Sequence, residues 1–389
     1  MYNFDTIIDR RGTSCFKYDA RKEVFGREDI LPMWVADMDF QSPPCVREAA
    51  MKLSQHGVFG YTFRSSESVD LFIDWVDKRY NWKINREQIT SSPGIVAALP
   101  IAIRALTSPS DKILIQTPVY PPFHTIVKEN GRTLVCSKLI QDETGWKIDW
   151  NDFEEKLKMG VKMFILCNSH NPIGKVWKRE ELLKMGELCC KYKTIIFSDD
   201  IHSDLALFDN RHTVMASVSD EIAQNTITAM APSKTFNIAG MLNSLIIAES
   251  KELYDKFHKE LTSLHLDLGN IFAHITMEAA YRDGGPWLEE LKRYLEKNIE
   301  YAWDFVKRDI PGLTFIKPEG SFLLWLNFRE TGLSHKEIKD LLINKAMVGL
   351  NDGLTFGPEG EYHFRMNIGT PLSVVKEGLE RIAHALAVR

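Results

Sequence analysis

The chain has little of what marks a secreted, a disordered or a nucleic-acid-binding protein. Its 389 residues include only six cysteines, none in a Cys-x-x-Cys pair, which indicates a reducing compartment. Sixteen prolines and 23 glycines are too few for a disordered chain. Acidic residues outnumber basic ones by 53 to 48, so no basic surplus is present to neutralise the phosphates of DNA or RNA. Nucleic acid is therefore not expected as a partner.

Long apolar runs are also missing. The segment from Ile95 to Leu106 is interrupted by Pro100 and Arg104, and nothing else approaches the roughly 18 to 20 apolar residues that span a bilayer. The first eleven residues mix both charge signs and lack the apolar stretch of a secretory signal. The sequence predicts a soluble cytoplasmic protein with neither a leader nor a membrane segment.

Short β-rich runs alternate with longer helix-period segments through the middle of the chain. This alternation predicts crossover units, and therefore an α/β fold with a mostly parallel sheet covered by helices on both faces. The predicted strands are Lys112 to Gln116, Thr133 to Cys136, Met163 to Leu166, Thr194 to Phe197, Thr226 to Met230 and Leu245 to Ala248.

The length exceeds the size at which one hydrophobic core usually stops growing, which favours a large domain plus a smaller one. Pro286, after two glycines, suits the first turn of a long helix that runs to about Asp309 and connects the two domains. Strands are predicted beyond it at Leu313 to Ile316, Phe322 to Asn327 and His363 to Ile368. The predicted large domain spans 46–284, and the small α+β domain combines 1–45 with 285–389.

Polar or reactive side chains follow four of the predicted strands. They are Tyr120, Asn171, Asp199 and Lys234. Because ligands of parallel sheets bind beyond the carboxyl ends of the strands, we expect these side chains to meet at one edge. A lysine amine can form a Schiff base with an aldehyde cofactor, and a buried aspartate can keep that cofactor's ring nitrogen protonated, the pairing expected for pyridoxal phosphate.

Each of these residues has a plainer interpretation. Lys234 could be an exposed lysine at a strand end, since lysine is mostly a surface residue. Asp199, Asp200, His202 and Asp204 could form a metal cluster of hard oxygen and imidazole ligands, although no second ligand group is evident and no metal is predicted.

Taken together, five motifs resemble the class I/II aminotransferase superfamily of pyridoxal phosphate enzymes, fold type I, over nearly the whole chain. They resemble most its C–S β-lyase branch, of the cystathionine β-lyase type. The resemblance implies a large domain with a sheet of the seven-stranded type. The motifs are Pro32-Met33-Trp34-Val35-Ala36-Asp37-Met38-Asp39-Phe40, Phe59-Gly60-Tyr61-Thr62, Ser169-His170-Asn171-Pro172, Asp199-Asp200-Ile201-His202 and Ser233-Lys234-Thr235-Phe236-Asn237.

The resemblance implies three catalytic residues. Lys234 would hold the cofactor and, once freed by substrate, remove the Cα proton. Asp199 would pair with the pyridinium nitrogen, and His202 would hydrogen-bond the cofactor's phenolic oxygen together with Asn171. A structural histidine and a turn asparagine before Pro172 are the plainer interpretations of the last two.

The phosphate of the cofactor would lie at the start of a predicted helix. Gly94 and Ile95 open that helix, whose free N–H groups and positive dipole end suit an anion, and Ser233 could add a hydroxyl. The resemblance further implies that Tyr61 reaches the phosphate of a neighbouring subunit, which predicts a homodimer; ordinary packing is the alternative for Tyr61. Many aminotransferases place an arginine on the phosphate eight residues after the lysine, yet Leu242 stands there.

Three further roles follow from the resemblance. Tyr120 would stack on the pyridine ring, unless it is a turn tyrosine packed on proline. Arg365 would take the α-carboxylate of the substrate through its bidentate guanidinium, unless it makes a surface ion pair. Asn171 and Ala36 would also contact the substrate.

Three functions remain open at this stage. The first is a C–S β-lyase that cleaves cystathionine, cysteine or related L-cysteine S-conjugates to a thiol, pyruvate and ammonia. The second is an aminotransferase of aromatic or neutral amino acids, because the two reactions share loss of the Cα proton and differ in geometry that the sequence does not reveal. The third, a ligand-sensing protein without turnover, is disfavoured because Lys234, Asp199 and Arg365 are all present.

Overall fold

The computed structural model describes residues 2–142 and 145–388, and its central element is one mixed sheet of eight strands. The strands of the described chain are Leu31–Pro32 (β1), Ile89–Ser92 (β2), Lys112–Thr117 (β3), Thr133–Asp142 (β4), Gly145–Ile148 (β5), Val161–Cys167 (β6), Ile195–Asp199 (β7), Thr226–Met230 (β8), Ser244–Ile247 (β9), Leu323–Asn327 (β10), Val348–Gly349 (β11), Asn351–Asp352 (β12) and His363–Asn367 (β13).

The order across this sheet is β2-β9-β8-β7-β6-β3-β4-β5. Five neighbouring strands, from β8 to β4, are parallel, whereas β9 and β5 pair antiparallel with the strands next to them. The parallel strands are nearly continuous apolar runs because both of their faces are covered. The mostly parallel sheet is thus confirmed, and β5 extends it by one edge strand.

Helices cover both faces of the sheet. Ile113 and Ile115 of β3 point into one apolar core, and Leu114 between them points into the other, as the alternation of side chains along a strand requires. In the described chain the α-helices are Phe16–Asp19 (α1), Arg21–Phe25 (α2), Pro44–His56 (α3), Ser66–Tyr80 (α4), Ile95–Leu106 (α5), Pro121–Glu129 (α6), Trp150–Lys158 (α7), Arg179–Lys191 (α8), Asp220–Gln224 (α9), Pro232–Thr235 (α10), Lys251–Ser263 (α11), Ile271–Asp283 (α12), Gly285–Asp309 (α13), His335–Asp340 (α14) and Leu372–Ala387 (α15).

The C-terminal part of the chain forms a smaller α+β unit around the sheet β10-β13-β12. The N-terminal segment joins this unit, because β1 pairs in parallel with β11. Helix α13 begins with Pro286 in its first turn, as predicted. The proposed division at residues 45/46 and 284/285 stays a prediction.

One predicted strand, Leu313 to Ile316, is wrong. Only Thr314 makes a bridge, with Asn327, and the rest of the segment is irregular. Leu313 and Phe315 are buried by side-chain packing, and this burial explains the apolar pattern. Among the described residues, the segment has no neighbouring strand with which it forms a ladder of backbone hydrogen bonds. Within the described residues, no helix is both long enough and apolar enough to cross a membrane.

Candidate active site

The carboxyl ends of four strands open on one cavity of about 410 Å³. Tyr120 follows β3, Asn171 follows β6, Asp199 ends β7, and Lys234 lies in α10 directly after β8; all four line the cavity. The prediction that these side chains meet at one edge of the sheet is confirmed as geometry. The roles of the individual residues stay predictions.

Lys234 extends its amine into the cavity and donates a hydrogen bond of 2.5 Å to the carbonyl oxygen of Ala36. Burial lowers the pKa of this amine to about 8, helped by Arg365 and opposed by the carboxylates of Asp37 and Asp199. A substantial fraction of the amine is therefore neutral near physiological pH, so Lys234 can act as a nucleophile and as a base.

Asp199 is buried and lines the cavity, and one of its carboxylate oxygens accepts a hydrogen bond of 3.1 Å from the Ile201 N–H. Burial, helped by the neighbouring Asp200 and opposed by the Ile201 N–H and Lys234, raises the pKa of the carboxyl to about 7. A buried carboxylate of this kind is stabilised by a cation placed against it, which a protonated ring nitrogen would supply.

His202 is also buried and lines the cavity, with its ring edge against Phe322. Burial lowers the pKa of the imidazole to about 3, and the cations of Lys234 and Arg365 add to this effect. The ring is therefore neutral at physiological pH. Its Nδ1 is buried and has no hydrogen-bond partner among the described residues, and the imidazole itself lines the cavity.

Arg365 lies on β13, behind Asn171 rather than in the wall of the cavity. Its Nη1 donates to Asn171 Oδ1 at 2.9 Å, and its Nη2 donates to Asn351 Oδ1 at 2.8 Å and to the Trp34 carbonyl at 3.1 Å. Burial lowers the pKa of the guanidinium to about 10. A substrate carboxylate would reach this arginine by taking the place of a neutral acceptor such as Asn171.

The start of α5 lines the cavity. Gly94 caps this helix with a φ of 138°, and Gly94, Ile95 and Ser233 all line the cavity. The first N–H groups of a helix have no partner within the helix, so this end suits an anion.

Leu242 stands where many aminotransferases place an arginine on the cofactor phosphate. It is exposed and lines the cavity, and it offers no charge. The next residue, Asn243, does not replace an arginine, because its amide donates to the Ala273 carbonyl and to Met277 Sδ.

Of three other predicted residues, two line the cavity and one does not. Tyr120 lines the cavity, and burial raises the pKa of its phenol. Ala36 also lines it and contacts Lys234 through its carbonyl. Tyr61, by contrast, is fully exposed and does not line the cavity of its own chain, as a residue that serves a neighbouring subunit would require.

Sequence reasoning missed Cys167 and Asp37. Cys167 ends β6 and lines the cavity, so the rule that placed Asn171 at a strand end could have found it. Asp37 is the carboxylate that most strongly opposes the lowering of the Lys234 pKa, and it accepts a hydrogen bond of 2.6 Å from Arg10. Asp37 lies in the first of the five motifs, but its closeness to Lys234 follows from the fold and not from any local pattern.

The alternative of a metal site finds little support in the geometry. Within residues 2–142 and 145–388, no group of three or more His, Cys, Asp or Glu side chains is arranged so that it could hold a metal ion. Asp200 instead accepts hydrogen bonds from Asn168, His212 and Ser198. Asp204 accepts from Trp75 and Thr235, among others.

The cavity fits pyridoxal phosphate on three observations. The start of α5 and the Ser233 hydroxyl suit its phosphate, the buried carboxylate of Asp199 suits its ring nitrogen, and the neutral imidazole of His202 suits its phenolic oxygen. Lys234 is the amine that would hold its aldehyde carbon.

The fold and this site belong to a known enzyme family. The family model for aminotransferase class I and II matches residues 28–382, so the chain belongs to that family. Cystathionine beta-lyase PatB of Bacillus subtilis (strain 168) is 44% identical over 99% of this chain and 100% of that protein.

Solved structures match over nearly the whole chain. Cystalysin from Treponema denticola, which contains pyridoxal 5'-phosphate, is 32% identical with a TM-score of 0.96 over 100% of this chain and 99% of that one. The pyridoxal phosphate-bound C–S lyase from Staphylococcus hominis is 33% identical with a TM-score of 0.93 over 100% and 99% of the two chains. The predicted family and the fold type I architecture are confirmed.

Proposed function

We propose that this pyridoxal phosphate-dependent carbon–sulfur lyase cleaves cystathionine, cysteine and related L-cysteine S-conjugates to a thiol, pyruvate and ammonia by α,β-elimination. The observation that carries the proposal is the convergence of Lys234, Asp199, His202 and Asn171 on one cavity. The predicted cofactor and enzyme class are confirmed by the family and by lyases of 32 to 44% identity.

Proton transfer is assigned to Lys234. When bound, pyridoxal phosphate supplies an electron sink that withdraws electron density from the Cα of an attached amino acid. The Lys234 amine, with its pKa lowered to about 8, can accept the Cα proton near neutral pH and return a proton later. Asp199, which is buried, would pair with the ring nitrogen of the cofactor and keep it protonated.

Orientation is assigned to His202, Asn171 and Tyr120. His202 and Asn171 would hold the phenolic oxygen from one side, since both are buried and therefore restricted in their rotamers. Tyr120 would cover a face of the ring and exclude water from it. Elimination requires that the Cβ–S bond of the substrate be aligned with the delocalised π system of the bound cofactor. The lysine must also lie near both Cα and the leaving thiolate.

Substrate selection is assigned to Arg365. Replacing Arg365 with glutamine should raise the KM for the amino acid about tenfold or more with a smaller change in kcat, since the charged clamp for the carboxylate is lost. Arg365→Lys should recover only part of the loss, because lysine lacks the bidentate fork. Steady-state kinetics on one substrate measures both values. An unchanged KM in Arg365→Gln would remove this assignment.

We also propose a homodimer in which Tyr61 contacts the phosphate in the partner's site. The support is an exposed apolar segment: Tyr61 is fully exposed, and Phe59 and Phe63 are 57% and 80% exposed.

Mixed dimers of Tyr61→Ala and Lys234→Ala, assayed at limiting pyridoxal phosphate, should recover activity above both parents, because one of their two sites is intact. No recovery, with heterodimers shown to form, would place Tyr61 outside the partner's site.

The pH dependence of cofactor capture follows from Lys234. Only the neutral amine attacks an aldehyde, so the rate at which cofactor-free protein captures pyridoxal phosphate should rise with pH through about 8 and level off above it. The lowered pKa of Lys234 sets the pH range in which the capture rate rises. A lysine with an unperturbed pKa would give a rise near pH 10.4. Stopped-flow absorbance of the visible band measures the rate, and a midpoint near 10 would contradict the burial of Lys234.

Elimination is tested by its products. Purified enzyme mixed with L-cystathionine should release pyruvate, ammonia and a thiol in equal amounts without any added 2-oxoacid. L-Alanine, which has no β leaving group, is the matched substrate control and should release none. Turnover that depends on a 2-oxoacid would instead support the aminotransferase hypothesis.

A further inference from the structure

The acid Asp204 is the centre of a buried hydrogen-bond network that reaches the segment of Lys234. One carboxylate oxygen accepts from Trp75 Nε1 at 3.0 Å and from the Tyr80 hydroxyl at 2.5 Å, and it forms an ion pair with Arg79, whose Nε lies 2.9 Å away. The other oxygen accepts from Thr235 Oγ1 at 2.8 Å. Asp204 itself is only 5% exposed.

The donors come from two elements. Trp75, Arg79 and Tyr80 belong to the last two turns of α4, whereas Thr235 ends α10 and is the residue directly after Lys234. Asp204 lies two residues after His202 in the chain. One carboxylate therefore connects helix α4 to the backbone on which Lys234 is carried.

Helix α10 depends on contacts from outside. It has only four residues and no side-chain hydrogen bond at its N-cap, and a helix this short has little stability of its own. The amine of Lys234 is held by the Ala36 carbonyl, a bond that is lost when the amine becomes attached to an aldehyde. Thr235, which is 1% exposed, then provides the side-chain hydrogen bond nearest to the lysine.

We propose that Asp204 is a positioning residue, which fixes the direction of the Lys234 side chain through the hydroxyl of Thr235 and the donors of α4. The proposal rests on the proposed function, because it needs Lys234 to be the cofactor-bearing amine. It assigns no contact between Asp204 and substrate or cofactor. Its physical basis is that a shift of about 1 Å in a reacting group can cost about a hundredfold in rate.

The test replaces the hydroxyl of Thr235 in the full-length protein. Thr235→Val removes the donor and keeps the shape, and Thr235→Ser restores the donor. Thr194→Val is the matched control: Thr194 is fully buried and donates at 2.9 Å to the Val161 carbonyl, just before β7 and therefore at the end of the sheet away from the cavity. All three variants are compared with wild type in thermal melting, kinetics and the rate of pyridoxal phosphate capture by cofactor-free protein.

Thr235→Val should lower kcat and the capture rate each about tenfold while KM changes less than about twofold. Thr235→Ser should recover both rates, and Thr194→Val should lose stability without losing either rate. Loss of stability alone in Thr235→Val, with both rates at the level of Thr194→Val, would overturn the proposal.

Two further outcomes are separated by design. If Thr235→Val does not fold, Tyr80→Phe is measured in its place; a capture rate about threefold lower supports the proposal, and an unchanged rate overturns it. If wild-type protein itself captures no cofactor at Lys234, the proposed function fails, whereas normal capture in wild type and in Thr235→Val defeats only the positioning role.

Discussion

Replacing Lys234 with alanine should lower kcat for elimination by at least about a thousandfold while the protein stays folded. A positioned acid–base group contributes about 10² to 10⁴ in rate, and Lys234 also holds the cofactor. Among the described residues the side chain donates one hydrogen bond, to the Ala36 carbonyl, so its removal should disturb the packing little. Pyruvate release from L-cystathionine measures the effect, with thermal melting as the check on folding.

The matched control for this variant is Lys251→Ala. Lys251 is highly exposed, pairs with Asp255 one turn along α11, and is not among the residues that line the cavity. This variant should keep wild-type turnover. If Lys234→Ala retained more than about a tenth of wild-type turnover, Lys234 would not be the base of the reaction.

Asp199→Asn should lower kcat by about a hundredfold to a thousandfold, the range typical for loss of one preorganised electrostatic group. The amide cannot hold the cofactor nitrogen in its protonated form, so electron withdrawal from Cα weakens. Cofactor should still bind, because the start of α5 and Ser233, which would hold the phosphate, are unchanged. Kinetics and the visible absorption band of the bound cofactor measure the two effects separately.

Asp199→Glu is the informative companion, because it restores the charge on a longer side chain. It should recover part of the lost rate if the ion pair is the cause. Equal turnover in wild type and Asp199→Asn would contradict the assignment. Asp255→Asn, which changes an exposed carboxylate on α11, serves as the control for loss of one negative charge.

The large sheet was predictable because its signal is local. Strands buried on both faces are short apolar runs, such as Val161–Cys167, and helical segments separate them along the chain. The same apolar pattern gave a wrong strand prediction at Leu313 to Ile316, where apolar side chains are buried but only Thr314 has a bridge partner. An apolar run reports burial, whereas a strand also needs a neighbour for its backbone.

The candidate site was predictable where a residue's place follows from the end of its own strand. Tyr120, Asn171, Asp199 and Lys234 meet that condition and line one cavity. The position of Arg365 behind Asn171 depends on how β13 packs against the main sheet, which no local pattern specifies. Asp37 and Asp204 escaped notice as partners of the lysine segment for the same reason.

The most direct test of this account is to locate the covalent attachment of the cofactor. Holoenzyme would be treated with borohydride, which makes a lysine-to-aldehyde linkage permanent, then digested and analysed by mass spectrometry. We predict that the reduced cofactor is found on the peptide that carries Lys234. A peptide with unmodified Lys234, or the cofactor on another lysine, would contradict the central assignment.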